Sequence, residues 1–237
     1  MASTLPVTAP TAGTATPQIR PGAAPDFEAI YATAGGDASR IPWSDGIPNP
    51  ALVTWLDTVG PSLVRCGARV AVVGCGLGED AREVIRRGYE VTAFDLSPTA
   101  VDWARALDPE NASCYHCANV TALPPRWVHR FDLVVEIHTI QSVPPEQRAG
   151  IMGGIARLVG TNGHLLVICR GCETPAGLED GPPWPLTERE LIDLGQSNGL
   201  AIDTVHAFDD HETPPQRRIR AQFRRVARDQ CVAEPKC

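Results

Sequence analysis

Short apolar runs alternate along most of this chain with stretches in which apolar positions recur every three or four residues. "ARVAVVG" (68–74) has the unbroken apolar character of a strand buried on both faces, and "EDAREVIRRG" (79–88) has helical spacing closed by a glycine. "YEVTAFD" (89–95) predicts a second strand. "SPTAVDWARAL" (97–107) predicts a helix with Ser97 as N-cap and Pro98 in its first turn, and "SCYHCAN" (113–119) a third strand. The alternation continues with strand "RFDLVVEIH" (130–138), helix "PPEQRAGIMGGIARLVG" (144–160) and strand "GHLLVICR" (163–170). Strand following helix in this way argues for one α/β domain whose sheet is mainly parallel, with helices on both faces. The end of the chain breaks the pattern. "LTERELIDLGQSNG" (186–199) reads as a helix with a Thr187–Glu190 capping box, and "LAIDTVHAF" with "IRAQFRRVA" as an antiparallel hairpin.

Ahead of the first strand, "DFEAIYATA" (26–34) and "NPALVTWLDTVG" (49–60) predict short helices, the second with Asn49 as N-cap, forming an N-terminal helical cap over residues 26–66. Residues 1–25 are built from Ala, Thr, Pro and Gly and read as a disordered tail. Residues 229–237 read as a flexible one, which leaves 26–228 as a single domain. Composition narrows the partners. A net charge of −7 disfavours nucleic acid and anionic membranes and points to a small molecule. No apolar run reaches a membrane span, and the start lacks the basic and apolar regions of a signal peptide, so a cytoplasmic location is expected.

The glycine run "VVGCGLGEDA" follows the first strand directly. A phosphate-binding loop would continue with Lys and Ser or Thr, but Gly78 is followed by Glu79 and Asp80. The dinucleotide spacing would place a glycine where Glu79 stands, and a carboxylate there opposes a pyrophosphate. Asp95, ending the second strand about 20 residues after the first glycine, can accept both hydroxyls of a ribose. The two features together ask for a nucleoside without phosphates, and S-adenosylmethionine meets that description. The plainer alternative is a tight turn, with Asp95 capping the next helix.

On these residues the chain resembles the class I S-adenosylmethionine-dependent methyltransferases from about Tyr31 to Arg225. "VVGCGLG", "AFDLSPTAVDWA", "ANVTALP" and "FDLVVEIHTIQSVPP" carry the likeness, which implies a Rossmann-like fold. "IPWSDGIPNP" resembles an element of the thiopurine and small-thiol S-methyltransferase branch. Val72 stands where most of the superfamily has an acid, and that branch commonly lacks it too. The resemblance implies Gly74, Gly76 and Gly78 as the backbone platform for the cofactor, Asp95 as the ribose partner and Leu96 as a wall against adenine. It further implies Asn119 at the adenine amino group with Val120 beside it, and Glu136 and Ile137 near the methionine end.

For methyl transfer, alignment of acceptor, carbon and sulfur in a dry site supplies much of the acceleration. His138, after the fourth strand, is the candidate base, or simply a hydrogen-bonding residue in the following turn. Arg170 could stabilise a thiolate or grip an acidic substrate, and could equally be a surface ion pair. Tyr31, Trp43 and Trp184 are candidate acceptor-pocket walls or core packing. The basic strand "RRIRAQFRR" reads as a solvated face of an exposed hairpin. Two C-x-x-C pairs, Cys114/Cys117 and Cys169/Cys172, fall on strands four spacings apart in the family order, roughly 19 Å at about 4.8 Å each. One zinc cannot join them, so no metal is expected. The expectation is thus an S-adenosylmethionine-dependent methyltransferase acting on a small thiol or dithiol. O- or N-methylation is the alternative, and a C-x-x-C oxidoreductase or thiol sensor is the rival from another class.

Overall fold

The computed structural model describes residues 22–226. The expected tails lie outside these residues except for 22–25, where the Gly22 amide donates to the Gly181 carbonyl.

Seven strands form one sheet: β1 (Arg69–Val73), β2 (Glu90–Asp95), β3 (Tyr115–Cys117), β4 (Phe131–Ile137), β5 (Val159–Arg170), β6 (Leu200–Asp209) and β7 (Arg217–Arg225). Their order is β3-β2-β1-β4-β5-β7-β6. The first five are parallel, and β7 inserts antiparallel between β5 and β6. Around the sheet lie α1 (Phe27–Ala34), α2 (Pro50–Thr58), α3 (Gly60–Leu63), α4 (Glu79–Arg86), α5 (Pro98–Leu107), α6 (Arg148–Leu158) and α7 (Glu188–Ser197). Helix starts follow local chemistry. The side chains of Asn49, Ser97 and Thr187 accept hydrogen bonds from first-turn amides of α2, α5 and α7.

The unbroken apolar runs are explained by a core on each face. Along β1, Val70 and Val72 pack with Leu52, Trp55 and Val84 from α2 and α4, while Ala71 and Val73 pack on the other face with residues of α6 and α7. A third cluster joins α1 to the loop after β1 through Tyr31, Ile41, Leu77 and Ala100. Helix α6 can approach the turn after β3 because its residue 154 is glycine, where any Cβ would collide with the Val120 carbonyl.

Three expectations need correction. The third strand is only Tyr115–Cys117, since residues 109–114 wind into 3₁₀ turns. The helix expected over 144–160 begins at Arg148, after a separate 3₁₀ turn at Pro145–Gln147, and β5 starts at Val159. The basic strand is not a solvated face. Flanked by β5 and β6, β7 sends Ile219, Ala221 and Phe223 into the core and buries Arg218 and Gln222, the latter accepting from Trp55 Nε1 at 3.1 Å.

Candidate functional site

The site grows from the carboxyl edge of the parallel strands, where β1 turns into α4. Gly74, Gly76 and Gly78 all have positive φ (60°, 51° and 85°), a backbone region that L side chains rarely adopt. Space forbids a side chain as well. A Cβ at Gly74 would collide with Thr139 Oγ1, one at Gly76 would lie 2.9 Å from the Tyr31 hydroxyl, and one at Gly78 would lie 2.9 Å from the Tyr115 ring. The loop is therefore bare backbone walled by three side chains, a cradle that lets a ligand approach closely.

Asp95, at the end of β2, is 9 % exposed, and its carboxylate holds the cradle in place. Oδ2 accepts from the Gly76 amide and Oδ1 from the Ser97 amide, both at 2.9 Å. Burial pushes its pKa up against the pull of these amides. Each oxygen keeps a second lone pair, so ribose hydroxyls can be accepted on top of the structural role. Leu96 is 59 % exposed beside it, available as an apolar wall. Asn119 Oδ1 already accepts from the Thr121 amide and hydroxyl, at 2.9 and 2.8 Å. Its free end is therefore the amide NH₂, which suits a ring nitrogen rather than the adenine amino group expected from the resemblance. Val120 is nearly buried against α6.

The acids after Gly78 face the N-terminal cap. Ser44 Oγ donates to Glu79 Oε1 and the Asn49 amide to Asp80 Oδ1, each at 2.7 Å. Burial pushes Asp80 up to about 6. Glu28 on α1 takes hydrogen bonds from Ser97 and Thr99 at the start of α5. Tyr31 is 3 % exposed, its hydroxyl accepting from Trp43 Nε1 at 2.9 Å. It thus lies over the glycine cradle, whereas Trp43 remains at the surface.

At the end of β4, Glu136 is fully buried. Its Oε1 accepts from the Thr139 and Ile140 amides at 2.6 and 3.0 Å, its Oε2 has no partner among the described residues, and burial pushes its pKa up to about 7. Ile137 points to the opposite face, against the α2 and α4 core. His138 has φ 65°, and its amide donates to the Ile168 carbonyl at 3.0 Å. Burial, then the cations Arg218 and Arg170, push its ring down to about 4. That shift favours the neutral ring and makes it a weaker base than an ordinary imidazole.

Arg218 is the residue that sequence reasoning missed. Its Nη1 lies 3.5 Å from His138 Nε2, while Nε donates to Asp210 Oδ2 at 2.6 Å and Nη2 to Glu212. Arg170 sits directly across the β5–β7 ladder from it. No signal in the sequence could have paired positions 170 and 218, because the pairing depends on where β7 inserts. Trp184 is a correction: it is fully buried, donates from Nε1 to the Leu178 carbonyl at 2.7 Å and presents no surface to an acceptor. The C-x-x-C pairs span the start of β3 and the end of β5, with β2, β1 and β4 between, and their thiols are free. Cys169 is buried on the face opposite Arg170, with its thiol pKa raised by burial.

Residues 71–167 match a family described as "Methyltransferase domain". A ubiquinone biosynthesis O-methyltransferase of Alkalilimnicola ehrlichii is 37 % identical over 102 residues, 42 % of this chain and 40 % of that protein. The chain thus spans less than half the length of such O-methyltransferases. The 2-heptyl-1-hydroxyquinolin-4(1H)-one methyltransferase of Mycobacteroides abscessus is 27 % identical over 162 residues, covering 66 % of this chain and 67 % of that protein. Among solved structures, the Burkholderia thailandensis 1,6-didemethyltoxoflavin-N1-methyltransferase, bound to its acceptor and S-adenosylhomocysteine, shares the fold. It aligns with TM-score 0.64 and 18 % identity over 94 % of each chain. A chain solved in work on conversion of a disulfide bond into a thioacetal group during echinomycin biosynthesis aligns with TM-score 0.67 and 24 % identity, over 84 % of this chain and 92 % of that one. Over the matched segment, which runs from β1 into β5, this chain is similar to S-adenosylmethionine-dependent methyltransferases, and its strand order is the fold it shares with the solved neighbours.

Proposed function

We propose that the protein transfers methyl to an ionisable oxygen or nitrogen of a small organic acceptor. The observation that carries this reading is the neutral His138 set beside Arg170 and Arg218, one residue from Thr139, which walls the glycine cradle. The cofactor supplies a methyl group on a positively charged sulfur. The chain's own tasks are to hold the nucleoside on Gly74, Gly76, Gly78 and Asp95, and to present the acceptor in line. With a pKa near 4, His138 is a poor proton sink at neutral pH. The guanidinium charges do more, because a nearby cation favours the ionised form of an acidic O–H or N–H. His138 is then a hydrogen-bonding residue that orients the acceptor.

The named relatives support oxygen or nitrogen over the sulfur acceptor that the sequence suggested: two are an O-methyltransferase and the methyltransferase of a hydroxyquinolone, and a structural neighbour is an N1-methyltransferase. Sulfur is the second reading, favoured by the fold neighbour from disulfide-to-thioacetal chemistry. Calorimetric titration with S-adenosylhomocysteine, for the wild type and Asp95→Ala, tests the cofactor step. Micromolar binding weakened at least about tenfold by the substitution is expected. Methyl transfer to phenols, N-hydroxy heterocycles and thiols, compared in one assay, then separates the two readings. Absence of S-adenosylhomocysteine binding would overturn both.

A further inference from the structure

We infer that the acceptor is held as an anion, and that Arg170 is the residue that selects it. The inference rests on the methyltransferase reading above and deepens it by naming the acceptor's charge. In the β5–β7 ladder Arg170 and Arg218 are direct partners, so their side chains leave the sheet on the same face. Two like charges so placed repel unless each is neutralised. Arg218 is neutralised from within: Asp210 and Glu212 take two of its nitrogens, and the loop joining β6 to β7 is folded to deliver them, with the Gln216 and Glu212 amides bound to Asp210 Oδ1.

Arg170 has no such partner among the described residues. Its amide donates to the Gln141 side chain and its carbonyl accepts from the Leu186 amide, so its backbone is fixed, yet no carboxylate meets its guanidinium. The residue is half-buried, and its charge adds to burial and Arg218 in pushing the His138 ring down. It therefore stands unpaired at the carboxyl end of β5, next to the strand end that lies beside the cradle. An acceptor bearing a carboxylate, or ionised at the atom to be methylated, would supply the missing negative charge. The planar guanidinium can bind either with two parallel hydrogen bonds.

The test uses the full chain loaded with S-adenosylhomocysteine and three acceptor-sized probes, titrated calorimetrically at pH 8. 4-Hydroxybenzoate carries a permanent carboxylate, 4-nitrophenol is ionised at the phenol itself, and 4-hydroxybenzamide is the neutral isostere. One or both anionic probes should bind about ten- to hundredfold more tightly than the amide, in keeping with a charge-assisted bidentate contact. Which of the two prevails tells whether the charge is a substituent or the reacting atom. Arg170→Gln should bring the anion-to-amide affinity ratio close to one, while Arg170→Lys should keep part of it. Melting curves of both variants verify folding. Equal or absent binding of charged and neutral probes, or a ratio that survives Arg170→Gln, would overturn the inference. Failure to bind S-adenosylhomocysteine would instead count against the methyltransferase reading itself.

Discussion

The carboxyl edge of the sheet has two halves that meet at Thr139 and are built on opposite plans. On the β1–β2 side the cradle is backbone, and the carboxylate that braces it is held by the Gly76 and Ser97 amides, all within one βαβ unit. On the β4–β5–β7 side the working groups are long charged side chains, and the contacts join positions 138, 170 and 218. The first plan suits a ligand that never changes, since fixed amides and glycines leave little room to adapt. The second suits a ligand that differs between relatives, because strand ends and hairpin loops can exchange charges without moving the cradle.

The largest expected effect breaks the first half. Gly74→Val puts a β-branched side chain at positive φ and drives it into Thr139, which strain and collision together make costly by about 3 kcal/mol or more. Titration should show loss of S-adenosylhomocysteine binding, and melting should show a lower Tm. Retained binding would mean the cradle is not where the nucleoside rests.

A comparable effect probes the second half by pH. Burial raises Glu136 from 4.5 to about 7, so the folded state holds its proton more tightly than the unfolded one. Its contribution is complete below about 4.5 and is lost as pH rises through 7, up to about 3 kcal/mol. His138 is lowered from 6.5 to about 4, so its contribution is complete above 6.5 and is lost as pH falls toward 4. Urea unfolding of Glu136→Gln against wild type should therefore show a stability difference that moves in the variant's favour as pH rises from 5 to 8. His138→Gln should move in its own favour as pH falls. Differences that are flat with pH in both variants would refute the buried states assigned to them.

The smallest effect sharpens the comparison by exclusion. Cys172 is half-buried and its thiol pKa is raised, chiefly by burial, so it lacks the thiolate character of a redox cysteine. Cys172→Ser should leave methyl transfer within about twofold and stability within about 0.5 kcal/mol. A large loss of function would revive the thiol-based rival.

Legibility follows the same division. The β1 run, the N-caps at Asn49, Ser97 and Thr187, and the glycine cradle with Asp95 were all readable, because each is specified by residues close together in the chain. The turn that ties the Asn119 oxygen to Thr121 two residues on is local, yet glycine and strand patterns give no sign of it. Trp184 could be wall or core from its sequence, because aromatic residues fit both, and its full burial assigns it to the core. The basic run at 217–225 looked solvated until β7 was found between β5 and β6, a position that composition does not encode.

The sequence by itself determined an α/β chain with a bare glycine turn after β1 and Asp95 beside it, because hydrophobic period, caps and glycine spacing act over a few residues and leave few alternatives. Tertiary structure alone decided the charged end of β5 and β7. The charges at 170, 210, 212 and 218 acquire meaning only when antiparallel pairing sets Arg170 against Arg218 and the β6–β7 loop brings carboxylates to Arg218.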